Sequence, residues 1–260
     1  MDLHLRGKRA LITGASKGIG AEVAVVLAEE GCHVRLAARS EARLAELAAR
    51  LRDQHRVEAS THVVDLRDPA DVSRLADEAG DVDILVNNAG DIPGGSLERV
   101  DAAAWRHAWE LKVFGYIDLS RLLYARMKAR GHGVIINDIG AAGERLDFDY
   151  IAGTTGNAAL MAFTRALGGR SVDDGIRVVG INPGPVETDR IVSLMRTRAK
   201  AALGDEGRYR EFMARFPRGR AASVREIADA VAFLASDRSA YTSGVIYTID
   251  GGLCARTSVL

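Results

Sequence analysis

The feature that most constrains this chain is an alternation. Short runs of β-branched and aliphatic residues recur along its 260 residues, each followed by a longer segment of helical period. Strands separated by helices return to the same edge of a sheet and pair in parallel, so both faces of that sheet are covered. The runs are 9–13 (RALIT), 33–38 (HVRLAA), 60–64 (STHVV), 83–87 (DILVN), 133–138 (GVIIND), 176–181 (IRVVGI) and 245–249 (VIYTI). Between the second and third, EARLAELAARLRDQ places Leu44, Leu47 and Leu51 on one helical stripe with Arg and Glu opposite, as in a helix laid on a sheet. The expected fold class is therefore α/β: a doubly wound, seven-stranded parallel sheet flanked by helices. With 47% hydrophobic residues over this length, one domain spanning 1–260 is expected around one large core. The stretch 188–217, rich in Arg, Met and small residues, reads as an insertion forming a substrate lid at the carboxyl ends of the strands.

Lys plus Arg and Asp plus Glu both number 35, so the charge balance gives no reason to expect a nucleic-acid or membrane-surface partner. No apolar run reaches the roughly 20 residues needed to span a bilayer. Cys32 and Cys254 lie far apart and fit no metal spacing, and with no secretory segment in view a cytoplasmic location with reduced thiols is expected. No set of metal ligands is evident.

After the first strand comes TGASKGIG, in which Gly14, Gly18 and Gly20 let the backbone turn and approach a pyrophosphate while the next helix aims its amino-terminal amides at the charge. Dinucleotide folds place an acidic residue about 20 positions on, to take the ribose hydroxyls. Here that region reads LAARS, with Ala38 and Arg39. A guanidinium pairs bidentately with a 2′-phosphate, and Lys17 adds a second cation, so NADP(H) is favoured over NAD(H). The plainer alternative is that Arg39 is a solvated residue at a strand end.

TGASKGIG, VVDLRD, NNAG (87–90), INPGPVETD (181–189) and SGVIYTIDGG (243–252) together resemble the short-chain dehydrogenase/reductase family, in the family's order and over nearly the whole chain. The resemblance implies a single Rossmann-like domain, usually a tetramer or dimer built on the long middle helices and the last strand. It implies hydride transfer between a nicotinamide and an alcohol or carbonyl carbon of a small molecule. It also implies a nucleotide site made of Gly14, Ser16, Lys17, Gly18, Ile19, Gly20 and Arg39. Asp65 and Leu66 would lie at the adenine, with Asn88, Ala89 and Gly90 of the Asn87–Gly90 turn at the adenosine ribose. Pro183, Gly184, Val186 and Thr188 would lie at the nicotinamide.

The family's proton chemistry uses Asn, Ser, Tyr and Lys, and here the chain departs from it. GVIINDIGAAG resembles the family's strand with Gly140 at the serine position. ELKVFGY puts Lys112 at the asparagine position. AALMAFTRAL (158–167) fixes the helix register so that the tyrosine and lysine positions fall on Gly153 and Asn157. Treating Tyr150 as the family tyrosine would insert three residues in a helix, turning later side chains by roughly 300° and shifting them about 4.5 Å. The expectation is a rebuilt site in which Tyr150, three residues before Gly153, fills the vacated space. Lys112 would then supply the cation that Asn157 cannot. The plainer alternatives are that Tyr150 is a half-buried aromatic at a helix entrance and that Lys112 only snorkels from its helix or pairs with Glu110, Asp138 or Asp149. Two function classes stand: an NADP-dependent oxidoreductase with a non-standard site, and an NADP(H)-binding protein without redox turnover. Val192, Leu194, Met195, Phe212, Met213 and Phe216 suggest an apolar lid and a bulky hydrophobic substrate; Arg196, Arg198, Arg208, Arg210 and Arg215 suggest an acidic one.

Overall fold

The computed structural model describes residues 1–256, with the side chains of Arg198 and Ala201 outside the description. Seven parallel strands form one sheet: β1 (Arg9–Thr13), β2 (His33–Ala38), β3 (Ala59–Val63), β4 (Ile84–Asn87), β5 (Gly133–Asp138), β6 (Ile176–Pro183) and β7 (Ile246–Ile249). Their order is β3-β2-β1-β4-β5-β6-β7, so the winding reverses between β1 and β4. Loops diverge at that point and leave a crevice beyond the carboxyl ends of the strands.

Alternate residues of each central strand feed two separate cores. Ile12, Leu36, Val86, Ile136 and Val179 face α1 (Gly18–Glu29), α2 (Glu41–His55) and α9 (Val224–Ala235) through Val23, Leu27, Leu44, Leu51, Ile227 and Val231. Their neighbours Leu11, Leu85, Ile135 and Val178 face α3 (Pro69–Ala79) and α5 (Gly115–Arg130) through Val72, Leu75, Leu119, Leu123 and Met127. A strand buried on both sides has no polar face, which is why these runs are continuously apolar rather than alternating. Truncating one such leucine to Ala costs about 2–5 kcal/mol.

The expected strands recur, β1, β2 and β5 with the same ends and the others with one or both ends moved by one or two residues. β6 runs on to Pro183 because Asn182 and Pro183 remain paired with Thr248 and Ile249. Asp83 falls outside β4, where its carboxylate accepts from the Arg9 backbone N–H at 2.8 Å. Local chemistry fixes several helix starts. Pro69 opens α3 behind Asp68, whose side chain accepts from Ala70 N–H, and α9 opens with a reciprocal Ser223–Glu226 capping box. Between α4 (Ala102–Trp109) and α5 the chain makes one wide π turn, Glu110–Phe114. Such turns redirect side chains and are frequent at functional sites. α6 (Ile151–Gly168) lies beyond β5, and α7 (Asp189–Leu203) and α8 (Tyr209–Met213) follow β6. None of the described helices is long and apolar enough to cross a membrane.

Candidate functional site

An open cleft of about 2640 Å³ follows the carboxyl ends of the strands from Arg39 to the loop at residues 145–150 and under α7. Its two ends are built differently.

At one end the glycine loop is locked to the β4 turn. Thr13 Oγ1 accepts from the backbone N–H of Asn88 at 2.9 Å and of Ala89 at 3.2 Å, and the Asn88 side-chain amide donates back to Thr13 O at 2.9 Å. Gly20 is forced by this closeness: a Cβ there would lie 2.4 Å from Asn88 Nδ2 and 2.6 Å from the Gly14 carbonyl oxygen. Gly14 and Gly18 turn with φ of +66° and +60°, which glycine tolerates and other residues rarely adopt. No side chain caps α1 and no acid occupies its first turn, so its amides and the positive end of its dipole face the cleft. Gly14, Ser16, Lys17, Gly18, Ile19, Arg39, Asp65, Leu66, Asn88, Ala89 and Gly90 all line this half. Gly20 does not, because it sits behind the loop as the packing glycine. Asp65 is engaged elsewhere: Arg67 holds its carboxylate at 2.6 Å, and that hydrogen bond lowers its pKa from the ordinary aspartate value. Ser40 and Arg43 of the α2 start also face the cleft beside Arg39. Nothing in the glycine motif signalled them, although a basic residue one helical turn beyond Arg39 was there to be read.

At the other end, Pro183, Gly184, Val186 and Thr188 leave β6 along the cleft wall. Gly184 is packed against Asp250, where a Cβ would come within 2.8 Å of backbone. Thr188 approaches Gly18, closing the two halves over each other.

The four positions Lys112, Gly140, Gly153 and Asn157 converge here with Tyr150. The Tyr150 ring occupies the volume that a side chain at 153 would need: a Cβ on Gly153 would lie 2.0 Å from Tyr150 Cε1 and 2.1 Å from Cζ. Tyr150 is the residue immediately before α6 and bridges to Gly95 through the backbone. Arg190, at the start of α7, stands 5.7 Å from the ring centroid and donates to the Ile92 carbonyl at 2.6 Å. The Tyr150 hydroxyl makes no hydrogen bond among the described residues.

Gly140 has φ of +120°, so a side chain there would be strained. Its carbonyl accepts from Asn157 Nδ2 at 3.3 Å, which leaves Asn157 Oδ1 buried without a partner. The widened turn carries Lys112 across Gly90, 3.0 Å from where a Cβ would sit, and its ammonium donates to the Ile139 carbonyl at 2.5 Å. The expected partners therefore need correction. Glu110, Asp138 and Asp149 make no ion pair with Lys112 within 4.0 Å, because a buried backbone oxygen was the nearer acceptor. Burial pushes the Lys112 ammonium down to about 8, with the Asp138 carboxylate opposing and Arg190 adding repulsion. Asp138 is 8% exposed, and burial pushes its carboxyl up to about 6 against the pull of Lys112.

In the segment 188–217, Met195 and Met213 are buried with Ile191, Tyr209, Phe212 and Phe216 in a small core of their own, so these side chains serve the segment itself as well as any ligand. Val192 and Leu194 face the cleft. The arginines are largely spent: Arg208 pairs with Glu211 at 2.6 Å, Arg196 lies over Tyr209 and Arg215 over Phe212. Arg210 donates to the Tyr209 hydroxyl, and the Arg198 side chain lies outside the described residues.

Residues 8–199 match the short chain dehydrogenase family. Over 252 residues the chain is 34% identical to a 2-keto-3-deoxy-L-fuconate dehydrogenase of Xanthomonas campestris pv. campestris, covering 96% of this chain and 81% of that one. It is also 34% identical to the 3-oxoacyl-(acyl-carrier-protein) reductase FabG of Escherichia coli K12, covering 96% and 99%. Among solved structures, L-sorbose reductase from Gluconobacter frateurii, complexed with NADPH and L-sorbose, superposes with a TM-score of 0.93 at 34% identity over 99% of this chain and all of that one. An NAD⁺-bound xylitol dehydrogenase superposes with a TM-score of 0.87 at 26% identity over 96% of this chain and all of that one. The parallel sheet, the glycine cradle and these likenesses agree, and the chain belongs to the short-chain dehydrogenase/reductase family of oxidoreductases.

Proposed function

We propose that this protein is an NADP(H)-dependent oxidoreductase acting on an alcohol/carbonyl pair through a rebuilt proton-handling corner. The observation that carries the proposal is the continuity of the cleft. A cradle whose glycines are required by backbone contact leads directly to a corner where the Tyr150 ring stands in the side-chain volume of position 153.

The residues present fit a dinucleotide. Gly14, Ser16, Lys17, Gly18 and Ile19 with the α1 amides would take the pyrophosphate, and Arg39, with Ser40 and Arg43, would take a 2′-phosphate. Leu66 and the 88–90 turn would border the adenosine, and Pro183, Gly184, Val186 and Thr188 the nicotinamide. The orphaned Asn157 Oδ1 is an acceptor suited to a ribose hydroxyl. The preference for NADP(H) rests on these cations and on the NADPH complex of L-sorbose reductase.

The cofactor supplies hydride. The chain's own task is then the proton and the placement of the substrate. Lys112, Gly140, Gly153 and Asn157 occupy the family's Asn, Ser, Tyr and Lys positions. In their place Tyr150 gives the proton and the Lys112 ammonium stabilises the phenolate left behind. The segment 188–217 acts as the substrate lid of a single-domain protein, and Val192 and Leu194, which border the cleft, suit a bulky hydrophobic carbonyl compound. A homo-oligomer, tetramer or dimer, in the cytoplasm completes the proposal.

Steady-state NADPH oxidation against ketones, aldehydes and quinones is the test. Turnover on at least one of them that falls about a hundredfold in Tyr150→Phe supports the assignment. Tight NADPH binding without turnover on any would leave a nucleotide-binding protein with no redox activity, and an unchanged rate in Tyr150→Phe would remove the phenol from the reaction.

A further inference from the structure

Asp138 ends β5 inside the cleft and none of the roles above uses it. A carboxylate in the last position of a central strand is costly to bury, and burial is tolerated when hydrogen bonds or a counter-ion compensate. Its flanking neighbours behave that way. Asn137 donates to Thr164 Oγ1 and accepts from Asn87, each at 2.9 Å, and the Ile139 carbonyl takes the Lys112 ammonium. The Asp138 carboxylate has no hydrogen bond and no ion pair within 4.0 Å among the described residues. Its backbone carbonyl accepts from the fully buried Tyr116 hydroxyl at 2.9 Å, which ties the main chain at this position to α5. The titratable groups that act on it directly are Lys112 from the π turn and Tyr116 from α5, with Arg190 of α7 acting on Lys112 and Tyr150 at the head of α6 acting on Tyr116. Of these, Lys112 is the amine bonded to the very next residue. An unpartnered acid and an amine therefore share one wall of the cleft, without touching.

We propose that Asp138 is the acid–base partner of Lys112, returning to the amine the proton that Lys112 gives up to the reacting corner. The proposal rests on the oxidoreductase assignment for its purpose but not for its test. In the reductive direction the Tyr150 O–H bond breaks as the new alcohol O–H bond forms. Released from the Ile139 carbonyl, the Lys112 side chain would swing to the phenolate and give it a proton, then as the neutral amine swing to the Asp138 carboxylic acid and take one, and the carboxylate would recover one from water in the open cleft. Each step moves one proton and no electrons. Asp138 acts through Lys112 and is a positioning and relay residue, not one that touches substrate.

Competitive labelling of the Lys112 amine with a trace of acetic anhydride, read by peptide mass spectrometry across pH 5–11, tests the coupling without any substrate. The expected midpoint is near 8 in the parent, falling by about one pH unit in Asp138→Asn because an attracting charge is lost. Equal midpoints in the two proteins, or a parent midpoint near that of free lysine, would overturn the proposal. If Asp138→Asn does not fold, the ¹³C shift of the Asp138 carboxyl decides between the parent and Lys112→Gln: a midpoint that rises in the variant, because the cation that lowers it is gone, supports the coupling, and equal midpoints sink it. A moving label midpoint in a protein that turns over no carbonyl compound would retire the redox assignment while leaving the Asp138–Lys112 coupling intact.

Discussion

The two ends of one cleft solve opposite problems. At the nucleotide end, Gly20, Gly14 and Asn88 are so close that no side chain fits, and the loop is held by its own backbone and by one threonine hydroxyl. At the chemical end, the space beside Gly153 is filled by a phenol from the residue before α6, and the Lys112 side chain from the π turn lies over Gly90. The first end is defined by which atoms are absent, the second by where flexible side chains settle. Substitutions should therefore behave differently at the two ends.

The largest effect is expected at the cradle. In Gly20→Ala the methyl meets backbone at Gly14 as well as the Asn88 amide, so the loop itself must move. Overpacking of that kind costs about 1–3 kcal/mol, and because the displaced atoms are those proposed to hold the pyrophosphate, NADPH affinity should fall about a hundredfold by calorimetry. Affinity within threefold of the parent would mean that the cradle is not where the nucleotide binds.

Gly153→Ala presses on a side chain instead. The new methyl overlaps the Tyr150 ring, which can swing away, so the melting temperature and NADPH affinity should change little. Turnover should drop about tenfold as the phenol leaves its place. Loss of stability without loss of turnover would show that the ring is packing and not chemistry, the plainer reading of Tyr150.

How far each end could be read from sequence follows the same division. Gly14, Gly18 and Gly20 name a backbone shape directly, and the apolar runs name a parallel sheet covered on both faces, so the glycine loop and the sheet, though not its strand order, are legible before any coordinates. The convergence of Tyr150 on Gly153 was legible only as an i, i+3 relation, since the residue before a helix takes its direction from the loop ahead of it. The Lys112 partner was not legible at all. Its acceptor is the Ile139 carbonyl, and a backbone oxygen carries no sequence signature. Asp138 was visible as an anomaly, a charge in a buried strand, but its isolation from every donor depends on where the π turn directs Lys112. Met195 of α7 and Met213 of α8 pack together with Phe212 and Phe216, because a short helical segment needs a core of its own, while Met195 also borders the cleft.

Cofactor choice sharpens the comparison at the rim, where solvent weakens charge. Arg39 and Arg43 are exposed, so replacing Arg39 with Ala should weaken NADPH binding by about tenfold and leave NADH binding unchanged, measured by fluorescence titration of both nucleotides. Equal losses for the two would assign Arg39 to the loop's stability and not to a 2′-phosphate.

The smallest effect is one of stability, and it reports on the chemical end with no ligand at all. Folding raises the Asp138 carboxyl from the ordinary 3.8 to about 6. Between those values the folded chain still holds a proton that the unfolded chain has released, so the stability this group contributes is fully present below about pH 4 and is lost as pH rises through 6. Two-state linkage with those two values gives a loss of about 1 kcal/mol between pH 5 and pH 7. Lys112 runs the other way: its ammonium is pushed down to about 8, so its contribution is recovered only as pH rises above that value. Asp138→Asn should abolish the first loss and, by removing the attracting carboxylate, begin the Lys112 recovery at lower pH. Urea midpoints of parent and variant should therefore diverge as pH rises from 5 to 7, in favour of the variant, with every other titrating group common to both. Parallel midpoints over that range would mean that the carboxyl is already ionised at pH 5 and satisfied by solvent, and the rebuilt corner would lose its reservoir of protons.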